Sequence, residues 1–271
     1  MELEIVRADP AGNITVFVLN PPAHRREREE IVKALLADSD LKAEQAGFVL
    51  PPAGPGAPWR LEMAGGEFCG NAGRSFALLV AAKTGLVGKH TLTIEVSGMA
   101  KPLPVHIDTE AQTAEIEFPP PLEESIIVLN ELRLPVYVFE GITHIIAENM
   151  QPDEQTVREL IKIMDKSVPA KQPALGVMFY DSEKRFMRPL VWTRAIDSLV
   201  FESSCGSGSA ALGIWAARGA EDAELETDLA QPGGTITVTI VKRAGKIERL
   251  SVSGKVGLSG VFAFVVSGQI P

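Results

Sequence analysis

The chain has 271 residues, 45% hydrophobic and 23% charged, an ordinary globular composition with room for one large core or two smaller ones. Its formal net charge of −9 argues against a nucleic-acid partner, because binding phosphate requires a basic face. No apolar run reaches the roughly 18 residues of a membrane span, and Met1 leads straight into Glu2-Leu3-Glu4 rather than into a leader.

In chain order, residues 3–7 and 14–19 read as strands, joined by the turn Asp9-Pro10-Ala11-Gly12-Asn13. Residues 25–38 form an amphipathic helix, with Ile31, Val32, Leu35 and Leu36 at helical spacing. Short strands at 47–50 and 59–63 flank a Pro/Gly-rich loop from Pro51 to Pro58. Residues 70–84 carry few polar side chains and predict a largely buried helix that Gly85 stops. Strands follow at 91–96, 103–107 and 113–118, then Pro119-Pro120-Pro121, the expected boundary between halves 1–120 and 121–271. The second half repeats the theme. Strands are expected at 126–129, 134–139 and 142–147, an amphipathic helix at 153–165, and strands at 174–179 and 186–193. A second buried helix runs from Cys205 to about Arg218, and Gly233-Gly234 opens a hairpin with strands at 235–242, 247–253 and 259–267.

The chain has two cysteines, and they stand in matching contexts about half a chain length apart: Cys69-Gly70-Asn71-Ala72-Gly73 and Cys205-Gly206-Ser207-Gly208-Ser209. Each follows an extended run and opens a buried helix, the pattern of a duplicated unit. A structural disulfide or a pair of inert thiols is the plain alternative, but a staple does not require glycine after each sulfur. At a helix start the backbone N–H groups are unpaired and the dipole is positive, which lowers a thiol's pKa and favours an anion nearby. Glycine after the sulfur lets a ligand approach the backbone, and Asn71 and Ser207 add hydrogen bonds. Two such sites gripping one carboxylate suit inversion of the adjacent stereocentre: one thiolate removes the α-proton and one thiol returns a proton. No cofactor enters this scheme, and no metal either, since the four histidines are scattered without ligand spacing.

These residues resemble the diaminopimelate epimerase-like superfamily, and within it the histidine racemases of opine metallophore (staphylopine-type) biosynthesis. Gly12-Asn13 is similar to the family's early Gly-Asn, and the two Cys-Gly stretches to its catalytic turns. Gly141-Ile142-Thr143-His144 stands where members carry a Pro-His-type strand entry. Gln231-Pro232-Gly233-Gly234 and Val261-Phe262 with Gly268-Gln269-Ile270 resemble the closing hairpin and end. The Glu-Arg pair that diaminopimelate epimerase carries upstream of its second cysteine is missing over Trp192–Glu202, whereas Glu44-Gln45-Ala46-Gly47-Phe48 and Glu202-Ser203-Ser204-Cys205 fit the histidine racemases.

The resemblance implies an α+β fold of two pseudo-symmetric halves, each a curved β-sheet around a central helix, with the site in the cleft between them. It implies a cofactor-independent racemase with Cys69 and Cys205 as acid and base. Asn13, Gly70, Asn71, Gly206 and Ser207 are then expected at the substrate's α-amino and α-carboxylate groups. Glu44 and Glu202 would favour an imidazole or cationic side chain, and Glu67 is expected to be a solvated charge. His144 is expected to be a packed, hydrogen-bonded histidine. Arg194 is expected either on a substrate carboxylate or on Asp197 or another strand neighbour. The expected partner is a small-molecule amino acid, with neither nucleic acid nor membrane, in the cytoplasm; a homodimer stays open. Diaminopimelate epimerase and a non-catalytic amino-acid-binding protein are the alternatives.

Overall fold

The structure, a computed structural model, describes residues 1–54, 57–167 and 172–266. Alternation opens the chain as a strand: Leu3 and Ile5 are fully buried between exposed Glu2 and Glu4 in β1 (Glu2–Asp9). The Asp9 carboxylate accepts the Gly12 N–H and turns the chain into β2 (Thr15–Val18), antiparallel to β1. The helix α1 (Arg25–Ala37) crosses to β3 (Gln45–Leu50), which runs parallel to β2. The antiparallel β4 (Arg60–Met63) follows, and α2 (Gly70–Thr84) carries the chain to β5 (Lys89–Val96), parallel to β4. β6 (Leu103–Asp108) and β7 (Thr113–Glu117) complete an antiparallel meander.

The same order then repeats. β8 (Glu123–Leu129) is an added hairpin strand on β9 (Leu132–Phe139), and β9 pairs antiparallel with β10 (Ile142–Glu148). α3 (Glu154–Ser167) crosses to the parallel β11 (Ala174–Asp181), which pairs antiparallel with β12 (Phe186–Thr193). After a single 3-10 turn at Arg194–Ile196 and the short β13 (Ser198–Phe201), α4 (Gly206–Ala216) leads to β14 (Ala223–Gln231), parallel to β12. β15 (Gly234–Arg243) and β16 (Lys246–Lys255) close the second meander. β17 (Gly257–Leu258) and β18 (Phe262–Val265) return to pair antiparallel with β1. The chain thus forms two units, Met1–Ile116 with the chain from Gly254 on, and Glu117–Ser253. The last strands join the unit that holds β1, so the second unit ends at Ser253 rather than running to 271.

Each sheet lies between an amphipathic helix and a buried one. α1 buries Ile31 and Leu35, one turn apart, against Leu3, Ile5, Val16, Val18 and Phe48. α3 sets Val157, Leu160 and Met164 against Ile127, Val136, Val177 and Leu190. Each such side chain stabilises its unit by about 1.5–3 kcal/mol. α2 and α4 are buried on all sides over most of their length and are enclosed by strands, α2 by β1, β5 and β6, and α4 by β10, β11, β14 and β15. α2 ends where Gly85, at φ +70°, points its N–H at the Ala82 carbonyl while Leu86 N–H meets Ala81. The architecture is therefore α+β in two matching halves, each a sheet wrapped on a central helix. Among the described residues no helix is long and apolar enough to cross a membrane.

Three features differ from the sequence expectation. β14 was not expected, because Glu224, Glu226 and Asp228 depress strand propensity; the acids all point to solvent, and Leu229 and Gln231 are buried. The short β13 was likewise unforeseen. The strand expected over 259–267 is shorter, β18 at Phe262–Val265, with the two-residue β17 just ahead of it, and between them Ser259 clamps Arg7: its N–H donates to the Arg7 carbonyl and its Oγ accepts the Arg7 N–H. Gly268-Gln269-Ile270 and part of the Pro51 to Pro58 loop lie outside the described residues.

Candidate active site

The two Cys-Gly turns are one geometry built twice. Cys69 caps α2 at φ −126°, ψ 112°, and Cys205 caps α4 at φ −134°, ψ 113°. In each, the sulfur accepts the N–H three residues on, from Ala72 and from Gly208, at 3.4 Å in both. A sulfur in the N-cap position takes the place of the usual serine or aspartate oxygen, so each Sγ lies against the positive end of its helix. Both cysteines are thiols, Cys69 half-buried and Cys205 buried.

Around Cys69 the first unit assembles a polar chain. The Cys69 Sγ–H donates to Gln45 Oε1 at 3.1 Å. Beside it, Arg74 Nη2 donates to Asn71 Oδ1 at 2.9 Å, Asn71 Nδ2 to Asn13 Oδ1 at 3.2 Å, and Asn13 Nδ2 to Glu44 Oε2 at 2.8 Å. A cation at one end and a carboxylate at the other fix which way both amides point. The topology makes this meeting: Asn13 leaves the turn before β2, Glu44 and Gln45 enter the parallel β3, and Asn71 and Arg74 lie one turn apart on α2. Burial pulls the Arg74 guanidinium down to about 10, and a negative charge on Cys69, when its thiol ionises, acts in the opposite direction.

The approach to Cys69 is also held. Ser97 Oγ accepts the Met63 N–H at 2.9 Å and donates to the Glu67 carbonyl at 2.8 Å. The Glu67 side chain departs from the solvated charge expected: Oε2 is buried without a hydrogen-bond partner. Burial pushes its carboxyl up, against the Glu67 and Gly65 N–H groups that favour the charged form.

Around Cys205 the second unit uses neutral groups. The Cys205 N–H donates to Gln231 Oε1 at 2.8 Å, and Gln231 Nε2 donates to Ser209 Oγ at 3.0 Å. Ser207 Oγ lies 3.6 Å from the Cys205 sulfur and 2.8 Å from His144 Nε2. His144 is fully buried, and burial pulls it down to about 3, so it is uncharged at neutral pH. It is the packed, hydrogen-bonded histidine that its apolar strand implies. Its Nδ1 faces Gly176, where a Cβ would come within 2.5 Å.

Of the residues expected at the site, Asn13, Glu44, Gly70 and Asn71 come together with Cys69, and Gly206 and Ser207 with Cys205. Glu202 is half-buried three residues before Cys205, with its N–H on the Pro189 carbonyl. Arg194 does not take Asp197, one of the partners expected. It pairs with Asp165 at 2.8 Å and lies over Trp192, while Asp197 accepts the Trp192 indole N–H. Gln45, Arg74 and Gln231 were missed. Arg74 carried a signal, as a lone charge inside an otherwise uncharged buried helix stretch. Among the described residues no cluster of three or more His, Cys, Asp or Glu is arranged to hold a metal.

The histidine racemase CntK N-terminal domain family matches residues 2–261. A histidine racemase of Fusobacterium nucleatum is 32% identical over 219 residues, 79% of this chain and 80% of the relative. One from Staphylococcus aureus is 28% identical over 243 residues, 88% of each chain. The solved structure of a predicted epimerase from Pseudomonas aeruginosa shares the fold, with a TM-score of 0.69 at 14% identity, over 98% of this chain and 100% of that one. The family match over nearly the whole chain and the similarity of these relatives show that the chain belongs to the histidine racemase family, among the isomerases.

Proposed function

We propose that this protein interconverts the two enantiomers of histidine without a cofactor, with Cys69 and Cys205 as its proton-transfer pair. The observation that carries this reading is the duplicated cap: two sulfurs at helix starts, each accepting a backbone N–H at 3.4 Å. A thiolate there is stabilised by the helix dipole, and the neighbouring N–H groups suit the carboxylate whose α-carbon turns carbanionic. In the reaction one thiolate takes the α-proton and the other thiol supplies its replacement, so the enzyme needs one of each.

Gly70, Asn71, Gly206 and Ser207 are assigned to the α-carboxylate and α-amino groups, with Asn13 supporting Asn71. Glu44 and Glu202 are assigned to the imidazole, which an acid recognises better than it would a second carboxylate. The D-histidine formed would serve a metallophore. The cytoplasm is the proposed compartment, because both sulfurs must stay reduced.

The test is a solvent-deuterium exchange screen over the common amino acids under reducing conditions, read by mass spectrometry and chiral chromatography. Histidine should take up label and racemise, and Cys69→Ala or Cys205→Ala should abolish inversion. Label entering diaminopimelate but not histidine would overturn the substrate. A Cys69→Ala, Cys205→Ala double variant that still racemises would overturn the mechanism.

A further inference from the structure

Arg74 stands among residues 70–81 of α2, every one of them buried, and is itself fully buried. A guanidinium in such a place is costly, and this one is only partly compensated. Its Nη2 is on Asn71 Oδ1 and its Nη1 on the Gly254 carbonyl at 3.1 Å, while Nε has no hydrogen-bond partner. Helix packing does not demand the cation: α4 carries Ala210, also fully buried, at the matching position five residues past its cysteine. A residue that breaks the local rule without a packing reason directs attention to the groups it holds.

Those groups are the chain from Arg74 through Asn71 and Asn13 to Glu44, with links of 2.9, 3.2 and 2.8 Å. Both amides are buried, and either one turned over exchanges its oxygen for its nitrogen. Arg74 only donates and an ionised Glu44 only accepts, so a single arrangement satisfies all three links. Arg74 hydrogen-bonds neither Asn13 nor Glu44, since its bonds go to Asn71 and Gly254. We propose that Arg74 is a positioning residue for substrate recognition: by holding the Asn71 oxygen it sets the direction of both amides, and so keeps the Glu44 carboxylate on Asn13 as the receptor for the substrate's side chain. This rests on the histidine reading above, which assigns Glu44 to the imidazole. Without the guanidinium, the Asn71 oxygen can take a hydrogen bond from Asn13 Nδ2 only by turning both amides over. That move sets the Asn13 oxygen against the Glu44 carboxylate, acceptor against acceptor.

The first test needs no turnover: side-chain amide hydrogen exchange in the full-length, ligand-free protein, read by nuclear magnetic resonance. Arg74→Met removes the donors at similar length, and the Asn13 amide should then exchange about tenfold faster, although Arg74 does not bond it. Arg74→Lys should restore most of the protection. Gln231, whose buried amide donates to Ser209 in the other unit, is the control and should keep its rate. An unmoved Asn13 amide overturns the proposal, and so does a gain that Gln231 shares, which is general loosening. If Arg74→Met does not fold, the neutral Arg74→Gln, whose amide fixes no direction, takes its place under the same criterion. The second test is kinetic. Arg74→Met should raise the KM for histidine about tenfold and change kcat by less than about threefold, and Arg74→Lys should bring KM back. In a Glu44→Ala background, where the receptor itself is gone, Arg74→Met should raise KM no further. The same rise in both backgrounds overturns the proposal, because Arg74 then acts by another route. A wild type inactive on histidine counts against the histidine reading, and the Asn13 exchange rate still decides whether Arg74 sets the chain.

Discussion

Gly98 and Gly88 offer a paired test of how tightly the approach to Cys69 is packed. Both have left-handed φ, +76° and +83°. At Gly88 an added Cβ meets nothing within 4 Å. At Gly98 it would lie 2.8 Å from the Glu67 carbonyl carbon and closer still to the Phe68 nitrogen. These are backbone atoms, so no side-chain rotation relieves the overlap. Alanine at either position costs about 1–2 kcal/mol for the left-handed backbone. Alanine at Gly98 adds about 1–3 kcal/mol of overpacking. The expected losses are therefore about 1–2 kcal/mol for Gly88→Ala and about 2–5 kcal/mol for Gly98→Ala. At roughly 2–4 °C per kcal/mol, Gly98→Ala should melt several degrees below Gly88→Ala. Circular-dichroism melts at matched protein concentration measure this directly. The alkylation rate of Cys69 should also change in Gly98→Ala alone, since the displaced backbone runs straight into the cysteine. Equal melting temperatures for the two variants would refute this packing.

Three further outcomes are expected. His144 is held near 3 in the folded protein against an ordinary 6.5, so the unfolded chain binds the extra proton between these values. Its contribution to stability is present above pH 6.5 and is lost as pH falls toward 3. His144→Gln should flatten urea-measured stability between pH 7 and 4 by an amount on the order of a few kcal/mol, and an unchanged slope would count against it. Gln231→Ala removes the acceptor of the buried Cys205 N–H and should cost about 1–3 kcal/mol, read as a lower urea midpoint with unchanged m-value. Arg194→Ala breaks an ion pair whose side chains are 33% and 35% exposed, so stability should move by less than about 1 kcal/mol. The KM for histidine should hold in that variant, and a rise would return Arg194 to the substrate.

What the residues alone reveal is what local chemistry decides. The bounds of α2, 70–84, are legible in the chain because a Cys-Gly start, an Ala/Leu-rich interior and Gly85 agree on one answer. The family is legible for the same reason. β14 is hidden because its acids obey the pleat while opposing strand propensity, and only pairing with β12 and β15 settles the conflict. The polar chain from Glu44 to Arg74 is only partly legible. Its members come from a turn, a strand entry and a helix, and hydrogen bonds across such separations leave no periodic trace. Glu67 misleads for a different reason: glutamates are normally solvated, and nothing nearby in sequence shows that its side chain folds back onto its own backbone.

The return of the last strands to β1 also sets an order of events during synthesis. The unit from Glu117 to Ser253 is one uninterrupted stretch and can close as it leaves the ribosome. The other must wait, because β17 and β18 follow Ser253 in the chain and Arg74 receives its Gly254 acceptor from a segment 180 residues downstream. Until that carbonyl arrives, a nascent chain holds a buried cation only half satisfied, so the cysteine at the start of α2 is the later of the two to reach its working environment.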